Sequence, residues 1–325
     1  MAEENRRKLV KIRWEKLDTD ILVRIFKNCF SRHELMNSGV AHVCGGWREA
    51  CCDPILWNTL DLSHMKSDFT QIPIYVFVEP HSDQEVTRFL KLAMSLSKGN
   101  TSTLIFHFNL FLNDDMLALI VQRCPNLRRL VLPAWNRLTK EFLFNAIQFC
   151  ENLESLTVSS VKHPEFVFSS IAMHCKNFRE LKVMGPIEVD FVEYLVKFLR
   201  NLKVLSLRCT AINLDALIKI LDDMKSLEVL NISHSYLVVT RKKTVIVRDL
   251  YESIVEASKP KQFVIVRELD ETIMEKASKL KQFVTCMEHK TCVMCQRTHE
   301  DEGIMKWNKY EEGLWKADEV TSLHL

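Results

Sequence analysis

Residues 124–132 read CPNLRRLVL, and this phrase returns at regular intervals along the chain. Later copies keep the spacing of its apolar residues but differ at other positions: CENLESLTV at 150–158, CKNFRELKV at 175–183, LRNLKVLSL at 199–207 and MKSLEVLNI at 224–232. The third residues of successive phrases are spaced by 26, 25, 24 and 25 residues. A fixed period of this size is typical of a solenoid, in which each unit buries its apolar face against its neighbours.

Each repeat unit combines a helix with a short strand. Leu130 and Leu132 alternate with Arg129 and Val131, which is the period-two pattern of a strand. Up to the first residue of the phrase, apolar residues recur at helical spacing: Leu117, Ile120, Val121 and Cys124. The pattern predicts an α/β solenoid with parallel strands on the concave side and helices on the convex side. It resembles a leucine-rich repeat of the cysteine-containing type, and five units agree in register.

Composition excludes several classes of protein. A net charge of +2 gives no broad electrostatic case for nucleic acid, and 7 Gly with 8 Pro argue against long linkers. No apolar run reaches the roughly 18 residues of a membrane span, and residues 1–13 are polar and basic, unlike a secretory signal. The 11 cysteines are therefore expected as reduced thiols in a protein of the cytoplasm and/or nucleus.

Residues 14–57 follow a different, purely helical pattern. Asp18 is placed to cap a first helix whose apolar stripe is broad: Ile21, Leu22, Ile25, Phe26 and Cys29. Ser31 and Glu34 have the spacing of a capping box for a second helix, and residues 40–51 predict a third. A unit this short covers little apolar area, so the surplus is expected to face a partner.

The same residues resemble an F-box. Its parts appear in order as WEKL at 14–17, DIL at 20–22, IF at 25–26, VC at 43–44, WR at 47–48 and DPILW at 53–57. Together with the repeats, the chain resembles plant F-box/LRR proteins, in which the F-box binds a Skp-type adaptor and the adaptor joins it to a cullin ubiquitin ligase. The resemblance implies these adaptor-binding residues: Leu17, Ile21, Leu22, Ile25, Phe26, Val43 and Trp47.

The resemblance has two departures and one structural alternative. Asp18 stands where the family usually has proline, and Gly45 and Gly46 lie between Cys44 and Trp47, where glycine disfavours a helix. The alternative to an adaptor-binding module is a small helical cap that shields the first repeat.

The chain divides into four predicted segments. A strand is expected directly after Trp57, so no flexible linker separates the helical unit from the repeats. The segments are a basic lead-in at 1–11, the F-box at 12–57, the solenoid at 58–286, and a capping segment with tail at 287–325.

The end of the predicted solenoid contains a tandem duplication. VIVRDL at 245–250 returns as VIVREL at 264–269, and ASKPKQFV at 257–264 returns as ASKLKQFV at 277–284. Each copy is predicted to be a helix and a strand that stack on the preceding units. Beyond them a helical cap is expected to cover the open end of the array through apolar residues at helical spacing: Trp307, Tyr310, Leu314 and Trp315.

The strand alternation also predicts a binding face. If the leucines that recur in the repeat strands point inward, their neighbours form the concave surface: Arg129, Val131, Ser155, Thr157, Glu180, Lys182, Ser206, Arg208 and Asn231. This surface is mixed in sign and partly apolar, which suits a protein or peptide substrate better than a polyanion.

One group of residues has the composition of a metal site. Its members are Cys286, His289, Cys292, Cys295 and His299, from which four tetrahedral zinc ligands could be drawn. A single Cys-x-x-Cys is equally explained by the packing of small apolar side chains, and no thioredoxin-like context favours redox chemistry. The sequence therefore predicts neither a metal nor a cofactor.

No catalytic motif stands out, so the chain is expected to be a non-catalytic subunit. The favoured hypothesis is the substrate-recognition subunit of a Skp–cullin–F-box E3 ubiquitin ligase, with the F-box on the adaptor and the repeats on a protein substrate. The alternative is a leucine-rich-repeat scaffold outside any ligase, or a small-ligand sensor, in either case with an adaptor-binding F-box.

Overall fold

The computed structural model describes residues 14–63, 82–107, 112–133, 140–161, 163–240, 263–266, 269–286, 290–292 and 295. Within these ranges no helix is both long enough and apolar enough to cross a membrane. The predicted lead-in, the residues proposed as a terminal cap and the first copy of the duplication up to residue 262 lie outside the described residues.

The N-terminal unit consists of short helices. They are α1 (Thr19–Cys29), α2 (Arg32–Asn37) and α3 (Gly45–Cys51), with 3-10 helices at Trp14–Lys16, Val40–His42 and Pro54–Trp57. The predicted starts of the first two are confirmed. The Asp18 carboxylate accepts a hydrogen bond from the Asp20 N–H at 2.9 Å. Ser31 and Glu34 form the reciprocal capping box, at 2.8 and 3.2 Å.

The third helix differs from the prediction of one continuous element over residues 40–51. Gly39 has a φ of 74°, and Cys44 is extended, so a 3-10 turn comes first and α3 begins only at Gly45. The prediction of an unbroken helix is wrong because the extended backbone at Cys44 interrupts it. Gly45 and Gly46 fill the first turn of α3, where their low helix propensity disturbs no helix interior.

The rest of the described chain alternates strands and helices. The strands are β1 (Thr59–Asp61), β2 (Thr103–Ile105), β3 (Arg129–Val131), β4 (Ser155–Val158), β5 (Glu180–Val183), β6 (Val204–Ser206), β7 (Ala211–Asn213), β8 (Val229–Asn231), β9 (Tyr236–Thr240), β10 (Phe263–Val266) and β11 (Gln282–Val284). The helices are α4 (Ser82–Ser97), α5 (Asp114–Arg123), α6 (Lys140–Ile147), α7 (Pro164–His174), α8 (Val189–Phe198), α9 (Leu214–Asp223) and α10 (Glu271–Ala277).

The main sheet is parallel and has the strand order β1-β2-β3-β4-β5-β6-β8-β11. Its register aligns one apolar residue from every strand: Leu60, Leu104, Leu130, Leu156, Leu181, Leu205, Leu230 and Phe283. The leucines of this row are buried in a single continuous core with the helices. The predicted repeat architecture is therefore confirmed.

The polar residues of the repeat phrase connect neighbouring units. The Asn126 side chain donates to the Gly99 carbonyl at 3.2 Å, and the Asn152 side chain donates to the Pro125 carbonyl at 3.1 Å. The Cys175 thiol likewise donates to the Cys150 carbonyl at 3.2 Å. These three side chains thus satisfy backbone carbonyls in the turn of the preceding unit, which gives the asparagine and cysteine of the phrase a structural role.

A second, three-stranded sheet has the order β10-β9-β7 and shows that the duplicated copies are not equivalent. In the second copy, α10 and β11 continue the main sheet as predicted. The equivalent Phe263 and Val264 of the first copy instead lie in β10, antiparallel to β9. The prediction of two equal stacked units is wrong for these residues, because β11 occupies the edge of β8 and leaves the first copy's strand to pair with β9.

Candidate functional site

The residues implied as adaptor contacts divide into exposed and buried groups. Ile21 is 48% exposed and Val43 is 59% exposed, whereas Leu22 and Phe26 are buried in the core of the helical unit. The others, Leu17, Ile25 and Trp47, are half-buried. Exposed positions offer direct contacts to a partner, and the buried ones support the helices that present them.

Aromatic packing fixes the shape of this unit. The Phe26 ring meets Trp47 edge-on with centroids 5.5 Å apart, and the Trp47 indole N–H donates to the Trp14 carbonyl at 3.1 Å. The Trp57 indole N–H donates to the Cys51 carbonyl at 2.9 Å. Helix α1, helix α3 and both flanking 3-10 helices are thereby held together, and their outer faces keep a defined geometry.

Two further exposed apolar side chains belong to the same unit and were not among the implied contacts. Trp14 and Ile55 are each 54% exposed. Both could have been identified from the sequence, because they lie within the stretches that carry the F-box resemblance. Together with Ile21 and Val43 they make four of the nine exposed large apolar residues in the described chain, although the helical unit is a small part of it. Such a concentration of exposed apolar side chains in one small unit is typical of an interaction surface.

The residues expected on the concave face of the repeats are nearly all buried. Lys182 is only 1% exposed. Arg129 is partly buried. The remaining members of the set are all buried: Val131, Ser155, Thr157, Glu180, Ser206, Arg208 and Asn231. Contrary to expectation, these side chains do not lie on an open surface in this structure, and their role in substrate binding stays a prediction.

Charge is concentrated in the middle of this buried row. The Arg129 guanidinium lies 3.1 Å from the Glu180 carboxylate, and the Lys182 ammonium lies 3.8 Å from the same oxygen. Burial lowers the pKa of Arg129, and the Glu180 carboxylate partly opposes that effect. Buried charge of this kind is stable only when it is paired.

Three polar atoms of the row are buried without a hydrogen-bond partner among the described residues: Arg129 Nε, Ser155 Oγ and Ser206 Oγ. An unsatisfied hydroxyl in such a place is costly unless water or another group completes it. The concave row therefore contains polar side chains that are buried, whereas the strand alternation in the sequence predicted that they would face solvent.

A separate cluster forms at the end of the main sheet. It consists of His234, Cys286, Cys292 and Cys295, whose ligand atoms all lie within 4.8 Å of one another. All three cysteines were among the candidate ligands that the sequence offered. The two other candidates, His289 and His299, lie outside the described residues. His234 was missed because it precedes Cys286 by 52 residues, and only the pairing of β8 with β11 brings it close.

The other cysteines have no comparable arrangement among the described residues. Burial raises the pKa of Cys150 to about 12 and that of Cys124 to about 11. Both thiols therefore stay protonated at neutral pH and act as small apolar residues of the repeat core.

Comparisons with known proteins agree with this architecture. The F-box-like family matches residues 14–63. The chain is 59% identical over 315 residues to F-box/LRR-repeat protein At3g48880 of Arabidopsis thaliana, and the match covers 96% of each chain. It is 24% identical to the putative F-box protein At4g11580 of the same plant, covering 95% of this chain and 96% of the relative. F-box protein SKIP1 of Arabidopsis thaliana is 28% identical over 174 residues, 52% of this chain and 54% of the relative.

Proposed function

Because the chain belongs to the plant F-box/LRR-repeat proteins, we propose that it is the substrate-recognition subunit of a Skp–cullin–F-box ubiquitin ligase. In this role the helical unit binds a Skp-type adaptor, the adaptor connects it to a cullin, and the repeats hold a protein substrate. The proposed place of action is the cytoplasm and/or nucleus.

The observation that carries the proposal is the exposed apolar surface of the F-box. Trp14, Ile21, Val43 and Ile55 each have about half or more of their surface in water. Burying large apolar side chains against a partner yields roughly 25 cal/mol per Å². Aromatic contacts and indole hydrogen bonds hold together the elements that carry Trp14, Ile21 and Ile55, so little ordering cost opposes binding there.

The joint between the F-box and the first repeat supports a role in orientation. The Asn58 side chain donates to the Asn100 carbonyl at 2.7 Å, and the Ser102 hydroxyl donates to the Asn58 side chain at 2.9 Å. The Thr101 hydroxyl also donates to the Trp57 carbonyl at 3.1 Å. A substrate on the repeats would therefore keep a fixed position relative to the adaptor, and the catalytic steps of ubiquitin transfer belong to other subunits.

Substrate binding by the concave row requires access to side chains that are buried in this structure. We propose that the charged centre of the row, Arg129, Glu180 and Lys182, contributes to recognition once that face is accessible. Its mixed charge suits a polypeptide that offers both carboxylate and amide groups.

Capture by a recombinant Skp-type adaptor tests the adaptor step. We expect Ile21→Asp and Val43→Asp to abolish capture, because each places a carboxylate in an apolar interface. Phe149→Asp is the matched control, since Phe149 is an exposed apolar residue of the repeats. Both F-box variants should keep the thermal unfolding midpoint of the parent, because the changed side chains are exposed.

Unchanged capture by the F-box variants would refute the adaptor role. Loss of capture with Phe149→Asp as well would show that the assay responds to general surface polarity. A capture that needs Ile21 and Val43, but brings down no cullin, would favour the alternative scaffold outside a ligase.

A further inference from the structure

The parallel pairing of two strands that are distant in sequence places a histidine beside a cysteine. Val284 of β11 pairs with Asn231 of β8, and the Ile232 N–H donates to the Val284 carbonyl at 2.8 Å. Parallel neighbours end at the same edge of a sheet. His234 comes three residues after the end of β8, and Cys286 comes two residues after the end of β11. The fold itself therefore brings their side chains together.

The loop that carries His234 is held in a defined conformation. The Asn231 side-chain oxygen accepts hydrogen bonds from the Ser233 N–H at 2.9 Å and the Ser233 hydroxyl at 2.7 Å. The Ser235 hydroxyl donates to the Leu207 carbonyl at 2.6 Å. His234 itself has a φ of 60°, in the left-handed region that is uncommon for a residue with a side chain. The surrounding structure therefore imposes this backbone conformation on His234.

Cys292 and Cys295 complete the group. The sulfur of Cys292 lies 3.4 Å from His234 Nδ1, and that of Cys295 lies 3.5 Å from the same nitrogen. The ligand atoms of these three residues and of Cys286 are all within 4.8 Å of one another. A neutral imidazole nitrogen accepts one proton, so a hydrogen bond accounts for one of the two short sulfur–nitrogen distances and not for both.

The distances fit a tetrahedral metal centre. With Zn–S near 2.3 Å and Zn–N near 2.0 Å, the edges of a tetrahedron are about 3.8 Å between sulfurs and about 3.6 Å between sulfur and nitrogen. The observed sulfur–nitrogen distances are 3.4 and 3.5 Å. The widest separation in the group needs to contract by only about 1 Å to close the tetrahedron.

We propose that His234 Nδ1 and the sulfurs of Cys286, Cys292 and Cys295 bind one Zn²⁺ ion. Thiolate and imidazole ligands select zinc over the oxygen-binding ions Mg²⁺ and Ca²⁺. Four protein ligands leave no position for water or substrate, so the ion is structural. This inference does not depend on the proposed ligase function.

The position of the site gives the ion a mechanical role. The last unit of the sheet has a helix of seven residues, the shortest helix that the structure describes in the repeats. A terminal unit has a neighbour on one side only and is the weakest point of a repeat array. The ion would tie the chain after β11 to the loop after β8, and so hold the last strand on the sheet.

Metal analysis of the full-length protein, purified without chelator, tests the proposal directly. We expect about one zinc per chain by mass spectrometry of the metal, since all four ligands come from one molecule. X-ray absorption should show three sulfur neighbours at about 2.3 Å and one nitrogen neighbour at about 2.0 Å. Replacing zinc by cobalt should give the intense visible bands of a tetrahedral thiolate site. These measurements use the parent protein, so they do not depend on the folding of a variant.

Substitutions then assign the ligands. His234→Ala and Cys295→Ser should each lower the retained zinc more than about tenfold after dialysis against a chelator. Cys52→Ser, which changes an exposed cysteine of the F-box, should leave the zinc content unchanged. Zinc that is lost with His289→Ala but kept with His234→Ala would overturn the assignment of His234. A parent protein without zinc, or one that has a disulfide between Cys292 and Cys295, would overturn the site.

Discussion

Phe283 of β11 lies beside Leu230 of β8 in the parallel register, at the position where every earlier strand of the main sheet has a leucine. Leu230 is fully buried between two strands, whereas Phe283 is half-buried at the end of the array. The last unit is thus packed on one side only, and its contribution to stability should differ from that of the inner units.

We expect Leu230→Ala to lower the free energy of unfolding by about 2–5 kcal/mol, the usual cost of truncating a buried leucine. Phe283→Ala should cost less, about 1–2 kcal/mol, because part of the ring is already in water. Urea titration followed by circular dichroism measures both. Equal effects would show that the last unit is as tightly packed as the inner ones.

Gly185 and Gly45 make a matched pair for the effect of an added methyl group. A Cβ on Gly185 would lie 2.9 Å from the Ser160 Cβ and 3.3 Å from the Ser159 carbonyl, while nothing lies within 4 Å of a Cβ on Gly45. Gly185→Ala should therefore destabilise by about 1–3 kcal/mol through overpacking. Gly45→Ala should be neutral or stabilising by up to about 1 kcal/mol. The shift of the thermal midpoint distinguishes the two, and a destabilising Gly45→Ala would contradict the open geometry at the start of α3.

The buried hydroxyls of the concave row should respond differently from a buried hydroxyl that is hydrogen-bonded. Ser155 and Ser206 lack a hydrogen-bond partner for their hydroxyls among the described residues, whereas the Thr210 hydroxyl donates to the Gly185 carbonyl at 2.6 Å. Ser155→Ala and Ser206→Ala should change stability by less than about 0.5 kcal/mol, and Thr210→Val should cost about 1–3 kcal/mol. Chemical denaturation of the three variants is the test. A large loss with either serine variant would mean that ordered water completes its hydrogen bond.

Two lysines from the neighbouring units converge on Glu228. The Lys203 ammonium lies 2.7 Å and the Lys281 ammonium 2.6 Å from its carboxylate oxygens. Hydrogen bonds from Lys203 and then Lys281 hold the pKa of Glu228 below its usual value. A carboxyl group whose pKa is lower in the folded state stabilises above its unfolded pKa, and that stabilisation is lost as the pH falls through the folded pKa.

Stability that depends on Glu228 should therefore disappear below about pH 4, near and beneath the ordinary glutamate pKa. Unfolding midpoints of the parent and of Glu228→Gln, compared from pH 7 downwards, should differ at neutral pH and converge in acid. Added salt should reduce the difference, because both lysine side chains are exposed to solvent. A difference that persists undiminished in acid would exclude the ion pairs as its cause.

The repeats were predictable because their signal is periodic and local. The asparagines at 126 and 152 and the leucines of the aligned row recur at a nearly constant spacing. The two asparagines make the same kind of hydrogen bond, and the leucines have the same position in the core. The F-box was recognisable for a related reason, since its short motifs stand in order within one stretch, from WEKL at 14–17 to DPILW at 53–57.

The remaining features depend on contacts between residues far apart in the chain. His234 joins three cysteines across more than 50 residues, so no local pattern reveals it. Phe263 and Phe283 have the same neighbours in sequence but lie in different sheets, because the free edge of β8 accepts only one strand. Burial of the concave side chains likewise depends on the whole chain, whereas strand alternation reports only the direction in which a residue points.

The regular order of the main sheet also fixes distances along the molecule. Eight strands from β1 to β11 leave seven spacings, and at about 4.8 Å each they separate the first strand from the last by about 34 Å along the sheet. Since β1 begins only two residues after Trp57 of the F-box, and the Thr101 hydroxyl donates to the Trp57 carbonyl, the number of units sets the distance of any loop from the F-box. Deletion of one unit would bring every later unit about 5 Å closer to the F-box, without changing any residue at the point where a partner binds.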